Sequence, residues 1–181
     1  MGKDQYQITG TVSREIMVDQ VRKAARQFAM QFFHFSKVLY ERYGLETAKD
    51  IIRQTVFELG VDRSDQLREK ALAKGLKADS VKDFMEVIDL PFSGWIPEWG
   101  EDHCPYAEVW RGYVKDYPWF IEIAPFYCDV IDTTTIENFS KCLSHKIDRN
   151  VILEGTECTR EYFESDAVKR GEYTYGTKEQ K

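Results

Sequence analysis

The sequence predicts an α+β domain in which N-terminal helices pack with a C-terminal helix-plus-antiparallel-strand unit. Three observations carry that reading. Apolar residues recur at spacings of three and four as far as about residue 90. Strict alternation comes only late, with Leu143, His145 and Ile147 set against Ser144, Lys146 and Asp148. Between the two patterns lies an aromatic stretch at 91–103, broken by two prolines and two glycines. Helical runs followed by paired strands, with no internal repeat, are the pattern of an α+β fold.

The first helix is expected from Ser13 to about Tyr43. Ser13 is a good N-cap, because its hydroxyl accepts an N–H that has no partner in the first turn, and Gly44 is a stop. Ile16, Val21, Ala24, Ala25, Phe28, Phe32, Phe35, Leu39 and Tyr43 make its apolar stripe. Met30 and Phe33 widen that stripe beyond what an edge helix of a monomer needs. Either the helix is central to the core or it packs against a second subunit, and a homodimer is the expectation. His34 reads as a satisfied core or interface histidine. A second helix is expected from Glu46 to Leu59, ended by Gly60. A third starts after Ser64 and closes near Gly75. A fourth begins at Asp79 or Ser80, where Ser80 and Asp83 form a capping-box-like pair, and stops before Pro91.

In the second half, Pro105 opens a helix, since proline at the first helical position sacrifices no hydrogen bond. Cys104 is then the N-cap residue, its sulfur beside unsatisfied N–H groups and the positive end of the helix dipole, which lowers a thiol pKa. His103 can assist as a base or as a positive charge. The plainer reading of Cys104-Pro105 is a turn with a small buried residue. Trp95 and Trp99 either wall a pocket or cover the core as a lid. Ile121 to Asp132 is apolar and punctuated by Pro125, and 133–140 reads as a short capped helix or a turn. After the alternating strand, Glu154-Gly155 turns the chain and Cys158 to Phe163 pairs back as a hairpin. The expected organisation is a single domain over 1–163, helical at about 13–90 and motif-bearing at 91–163, with a polar flexible tail at 164–181.

Composition narrows the function. The 181 residues carry a net charge of −6, and no basic stretch exceeds two or three residues, which argues against a nucleic-acid partner. No apolar run approaches a membrane span and the first residues are not those of a signal peptide, so a cytoplasmic protein without membrane partners is expected. Four unevenly spaced cysteines are too sparse for a disulfide framework. They are core filler, metal ligands or reactive thiols.

Three motifs then fall in order: His103-Cys-Pro-Tyr-Ala-Glu-Val-Trp-Arg-Gly-Tyr113, Pro125-Phe-Tyr-Cys-Asp-Val-Ile-Asp132, and the stretch Asn138 to Cys158 that closes on Glu154-Gly-Thr-Glu-Cys158. With the helical lead-in Gly44 to Gly60, they resemble the L-2-amino-thiazoline-4-carboxylic acid hydrolase family over roughly residues 40–163. More distantly, the ending Glu154 to Cys158 resembles 4-vinyl reductase domains, which share the fold of vesicle-tethering TRAPP subunits. Those domains more often carry Gly-Asp where this chain has Gly155-Thr156. The resemblance implies a TRAPP-like α+β fold and a small-molecule ligand, with fold transferring more safely than substrate.

Hydrolysis of a 2-amino-thiazoline carboxylate adds water at the amidine-like carbon and opens the ring to a carbamoyl-cysteine. That chemistry needs an activated nucleophile, a proton donor for the departing ring atom and a cation for the carboxylate. Cys104, Cys128 and Cys158 stand at the resembling motif positions. Converging, they can hold a divalent metal such as zinc, with His103 or His145 as a further ligand, or one thiolate can attack directly. Glu108, one turn beyond Cys104, shares its helix face. Asp129 and Asp132 are further acid or base candidates. Arg149 and Arg160 are candidates for the substrate carboxylate, and Tyr106, Trp95 and Trp99 for the rest of the substrate. The alternative to an enzyme is a small-molecule-binding module of the 4-vinyl reductase type.

Overall fold

A computed structural model describes residues 11–90, 104–155 and 158–165. Trp95, Trp99 and His103, and the tail beyond Ser165, lie outside the described residues. The described chain is mostly helical with one two-stranded antiparallel sheet, an α+β arrangement in the broad sense.

Helix α1 spans Arg14–Tyr43. The Ser13 hydroxyl accepts the Ile16 N–H at 3.3 Å, and Gly44 ends the helix with φ +78°. Its buried seam is Val18, Arg22, Ala25, Ala29, Phe33 and Ser36, whereas Ile16, Phe35 and Tyr43 of the expected stripe are exposed. The seam turns towards small residues because a second helix, α4 at Pro105–Asp116, lies against them. Trp110 of α4 is fully buried there and its indole N–H donates to the Ala29 carbonyl at 2.9 Å. Phe33 faces inward too, its ring stacked at 3.7 Å and 8° on Tyr113. Phe33 therefore belongs to the core. His34 is exposed and meets Phe33 and Tyr113 edge-on.

Helix α2 is a single element, Leu45–Ala73, where two were expected with a break at Gly60. Gly60 instead sits mid-helix against α5, Ala124–Phe139. A Cβ on Gly60 would lie 2.8 Å from Thr134 Cβ, so glycine serves close approach here and not termination. Helix α3, Val81–Met85, has the anticipated cap: the Ser80 hydroxyl accepts the Asp83 N–H at 3.1 Å and the Asp83 carboxylate accepts the Asp79 N–H at 3.4 Å. After α4, Pro118–Glu122 forms a 3₁₀ turn. Helix α5 then runs unbroken through the threonines at 133–135, which were expected in a separate short capped helix or turn. Pro125 lies in its first turn, where it opens the helix instead of interrupting it. Thr134 and Thr135 are buried because that face packs on α2, and the Thr135 hydroxyl reaches the Gly60 carbonyl at 3.4 Å.

Strands β1, Leu143–Arg149, and β2, Thr159–Glu164, pair antiparallel with His145 opposite Tyr162 and Ile147 opposite Arg160. Between them lies a one-turn helix that sequence reasoning did not anticipate, α6 at Val151–Glu154. Asn150 caps it by accepting the Ile152 N–H at 3.0 Å, and Gly155 closes it with φ +77°. Two apolar clusters hold the assembly. One joins α1, α2, α4, the 3₁₀ turn, α5 and α6 around Trp110, Phe33, Phe120 and Ile131. The other joins α2, α3, α5 and β1 around Phe84, Phe139 and Leu143. No helix among the described residues is long and apolar enough to cross a membrane.

Candidate functional site

Three thiols that are remote in sequence meet on the first cluster. Cys104 is the N-cap of α4, immediately before Pro105, and its sulfur makes no capping hydrogen bond. It is buried with Cys128 of α5, and Cys158, just ahead of β2, packs against the same cluster half-buried. The Cys158 sulfur accepts the Val151 N–H at 3.3 Å. Cys128 lies within electrostatic reach of both Cys104 and Cys158, and Cys158 within reach of Cys104. Cys142 stands apart: it precedes β1 at the end of the hairpin away from Cys158, bonded through its backbone to Ser140 and Ser165.

Charge reaches this cluster through a ladder of side chains from three elements and the segment that follows α3. Arg160 of β2 hydrogen-bonds to Cys128 and forms an ion pair with Asp132 of α5. Arg63 of α2 approaches the same Asp132 at 3.9 Å and donates to Asp89, beyond α3, at 2.8 and 2.9 Å. Removal from water pushes the Cys128 thiol up to about 12, against the opposing pull of Arg160. Burial also raises the Cys158 thiol, opposed by the Val151 N–H. Asp129 is raised by partial burial although the Asn150 amide donates to it at 3.3 Å and Arg160 is near.

Tyr106 and Tyr127 form the aromatic wall of the cluster. Their rings meet edge-to-face at 5.3 Å and 88°, their phenols hydrogen-bond to each other, and burial raises both above the ordinary tyrosine value. Tyr106 also stacks on Trp110 at 5.4 Å.

Several candidates go elsewhere. The Glu108 carboxylate is turned to α1, where Arg22 and Arg26 hold it, the latter at 2.8 Å. It ties α4 to α1 instead of serving Cys104. Arg149 is exposed at the last position of β1, opposite Thr159. His145 belongs to the second cluster's side of the sheet, with Thr133 at 3.3 Å and the Tyr162 ring at 4.9 Å. Burial pulls its imidazole down to about 4. Asp132 is committed to arginines. Arg63, Asn150 and Tyr127 join the site without having been singled out. Only Tyr127 had a local signal, as the neighbour of Cys128 in its motif; Arg63 and Asn150 arrive by long-range packing.

Among the described residues, no group of three or more His, Cys, Asp and Glu side chains is arranged to hold a metal ion. His145, on the second cluster's side of the sheet, is not gathered with the three thiols, so the described residues do not assemble the zinc site that their chemistry allowed. Comparison with protein-family models, curated proteins and solved structures finds no match for the chain.

Proposed function

We propose that the chain is a small hydrolase of the L-2-amino-thiazoline-4-carboxylic acid hydrolase type, built on a TRAPP-like variant of its α+β fold and acting on a compact carboxylate-bearing heterocycle. The observation that supports this most is the gathering of Cys104, Cys128 and Cys158 beside Arg160 from three separate motifs. Cys104 is the nucleophile in this reading, because it stands at the N-terminus of α4, immediately before Pro105. The thiolate adds to the amidine carbon of the ring, and the ring carbon–sulfur bond breaks. The Tyr106–Tyr127 pair, protonated by its burial, supplies the proton to the departing sulfur. Water, activated by Asp129, then displaces Cys104 and leaves a carbamoyl-cysteine. Arg160, shared with Asp132, is the cation for the substrate carboxylate.

A second reading is a small-molecule-binding module without catalysis. Burial favours it, since it raises the Cys128 and Cys158 thiols alike. In either reading the protein works in the cytoplasm, with no nucleic-acid partner. It is a homodimer through the exposed side of α1 and α2, where Phe35 (62 % exposed) and Val38 (45 %) border an apolar groove of about 480 Å³.

Thiol protection tests occupancy of the site. Saturating L-2-amino-thiazoline-4-carboxylate is expected to slow iodoacetamide labelling of Cys104 and Cys158 at least threefold and to leave Cys142 unchanged. Equal labelling of all four cysteines with and without the compound would remove it as the ligand.

A further inference from the structure

The same cluster has a property that does not need hydrolysis. Two of its thiols each stand at the start of an element, Cys104 before α4 and Cys158 before β2, and both sulfurs face one apolar cluster. Neither is joined to another cysteine. Cys158 is the most accessible of the three, half-buried where Cys104 and Cys128 are 6 % and 5 % exposed. Its sulfur already accepts the Val151 N–H, which opposes the rise that burial imposes on this thiol. Cys128, by contrast, is fixed within the turns of α5 and hydrogen-bonded to Arg160.

We propose that Cys158 and Cys104 are a peroxide-oxidisable dithiol that closes to a disulfide between the start of β2 and the start of α4. A hydroperoxide meets Cys158 first. The Cys158 sulfur attacks one peroxide oxygen, the O–O bond breaks, and sulfenic acid and water are formed as the leaving oxygen takes the thiol proton. The Cys104 sulfur then attacks the Cys158 sulfur, the S–S bond forms, and hydroxide leaves with the Cys104 proton as water. Two thiols have lost two electrons and the peroxide has gained them, giving two waters from hydrogen peroxide. A small dithiol reverses the bond by exchange. Joining Cys104 also removes it as a nucleophile, so oxidation would silence any activity that depends on it.

The test uses the reduced full chain. It is treated with stepwise equivalents of hydrogen peroxide, alkylated in denaturant, digested without reductant and mapped by mass spectrometry. The free-thiol titre is expected to fall from the four cysteines of the sequence to two. A Cys104–Cys158 linked peptide accumulates, and dithiothreitol restores all thiols. Cys142→Ser leaves the linked peptide unchanged, and in Cys104→Ser Cys158 stops at a sulfenic acid that dimedone traps. Oxidation of Cys142 ahead of Cys158 in the wild type would overturn the proposal, as would a Cys158 bond to Cys128 or Cys142. So would conversion to sulfinic acid with no linked peptide. The wild-type map decides the matter even if a serine variant fails to fold.

Discussion

Gly60 and Thr134 set how closely α2 and α5 approach: a Cβ on the glycine would lie 2.8 Å from the threonine Cβ and 2.9 Å from its methyl. Glycine inside a helix normally costs stability relative to alanine, by roughly 0.5–1 kcal/mol. Here the packing reverses that sign, because the methyl would have to displace a buried α5 residue. Gly60→Ala is expected to destabilise by about 1–3 kcal/mol in urea denaturation. Gly112, on the exposed side of α4 with nothing within 4 Å, is the internal control. Gly112→Ala is expected to stabilise by about 0.5–1 kcal/mol. Equal signs for the two would show that the α2–α5 contact is looser than described.

Glu108 ties α4 to α1. Its carboxylate holds Arg22, which is nearly buried, together with Arg26. Glu108→Gln keeps the shape and removes the charge, leaving Arg22 poorly compensated. A loss of about 1–3 kcal/mol in stability is expected, discounted for the partial exposure of Arg26 and Glu108. The rate of Cys104 alkylation should stay within twofold of wild type. A tenfold change in that rate at unchanged stability would return Glu108 to the chemistry.

Two buried groups where the hairpin meets α5 respond to pH in opposite directions. Glu137 accepts the Ser144 hydroxyl at 2.6 Å, and burial raises its carboxyl from 4.5 to about 7. Its neutral form is favoured in the folded state, so its contribution is complete below 4.5 and is lost as pH rises towards 7. Burial lowers His145 from 6.5 to about 4. Its neutral form too is favoured, so its contribution is complete above 6.5 and is lost as pH falls towards 4. Between about 4.5 and 6.5 the two slopes offset. At about 1.4 kcal/mol per pH unit, each amounts to about 3 kcal/mol at most. Glu137→Gln should therefore gain stability over wild type progressively from pH 4.5 to 7, read by thermal melts across that range. A difference that does not vary with pH would contradict the buried, protonated carboxyl.

Phe33 and Phe35 separate the core from the proposed dimer face. Phe33→Glu would destroy the stack on Tyr113 and so cannot report on assembly. Phe35→Glu acts on the exposed side. By analytical ultracentrifugation at micromolar concentration, a dimeric wild type and a monomeric, equally helical Phe35→Glu variant are expected. A monomeric wild type would exclude the homodimer.

Much of the fold was legible because local rules set it. Ser13 and Gly44 bound α1, Ser80 caps α3, Pro105 opens α4, and the alternation at Leu143 to Asp148 is β1. The failures share one cause. Gly60 and the threonines of α5 look like breaks when read locally, and only the contact between the two helices explains both. The stripe on α1 was only partly right for a similar reason: Phe35 and Tyr43 looked like core and are exposed, while Ala29, beside the expected Ala25, took the core because Trp110 needs room.

The site was legible in its cysteines and illegible in its charges. Cys104, Cys128 and Cys158 each lie in a recognisable motif, and they come together. Yet much of the Cys104 motif is packing: Pro105, Ala107 and Trp110 are buried, and Glu108 binds α1. Arg63 and Asn150, which hold Asp132 and Asp129 beside the thiols, come from stretches whose sequences carry no hint of it. Arg160 was a candidate for the substrate carboxylate, and its pairing with Asp132 is a contact that only the folded hairpin makes.

Turnover of L-2-amino-thiazoline-4-carboxylate, followed by mass spectrometry of the carbamoyl-cysteine product, tests the central claim most directly. The wild type and Cys142→Ser are expected to form product at equal rates, and Cys104→Ser, still folded by circular dichroism, at least a hundredfold more slowly. Product formed by Cys104→Ser at the wild-type rate, or none formed by the wild type while the compound protects its thiols, would contradict a hydrolase built on Cys104.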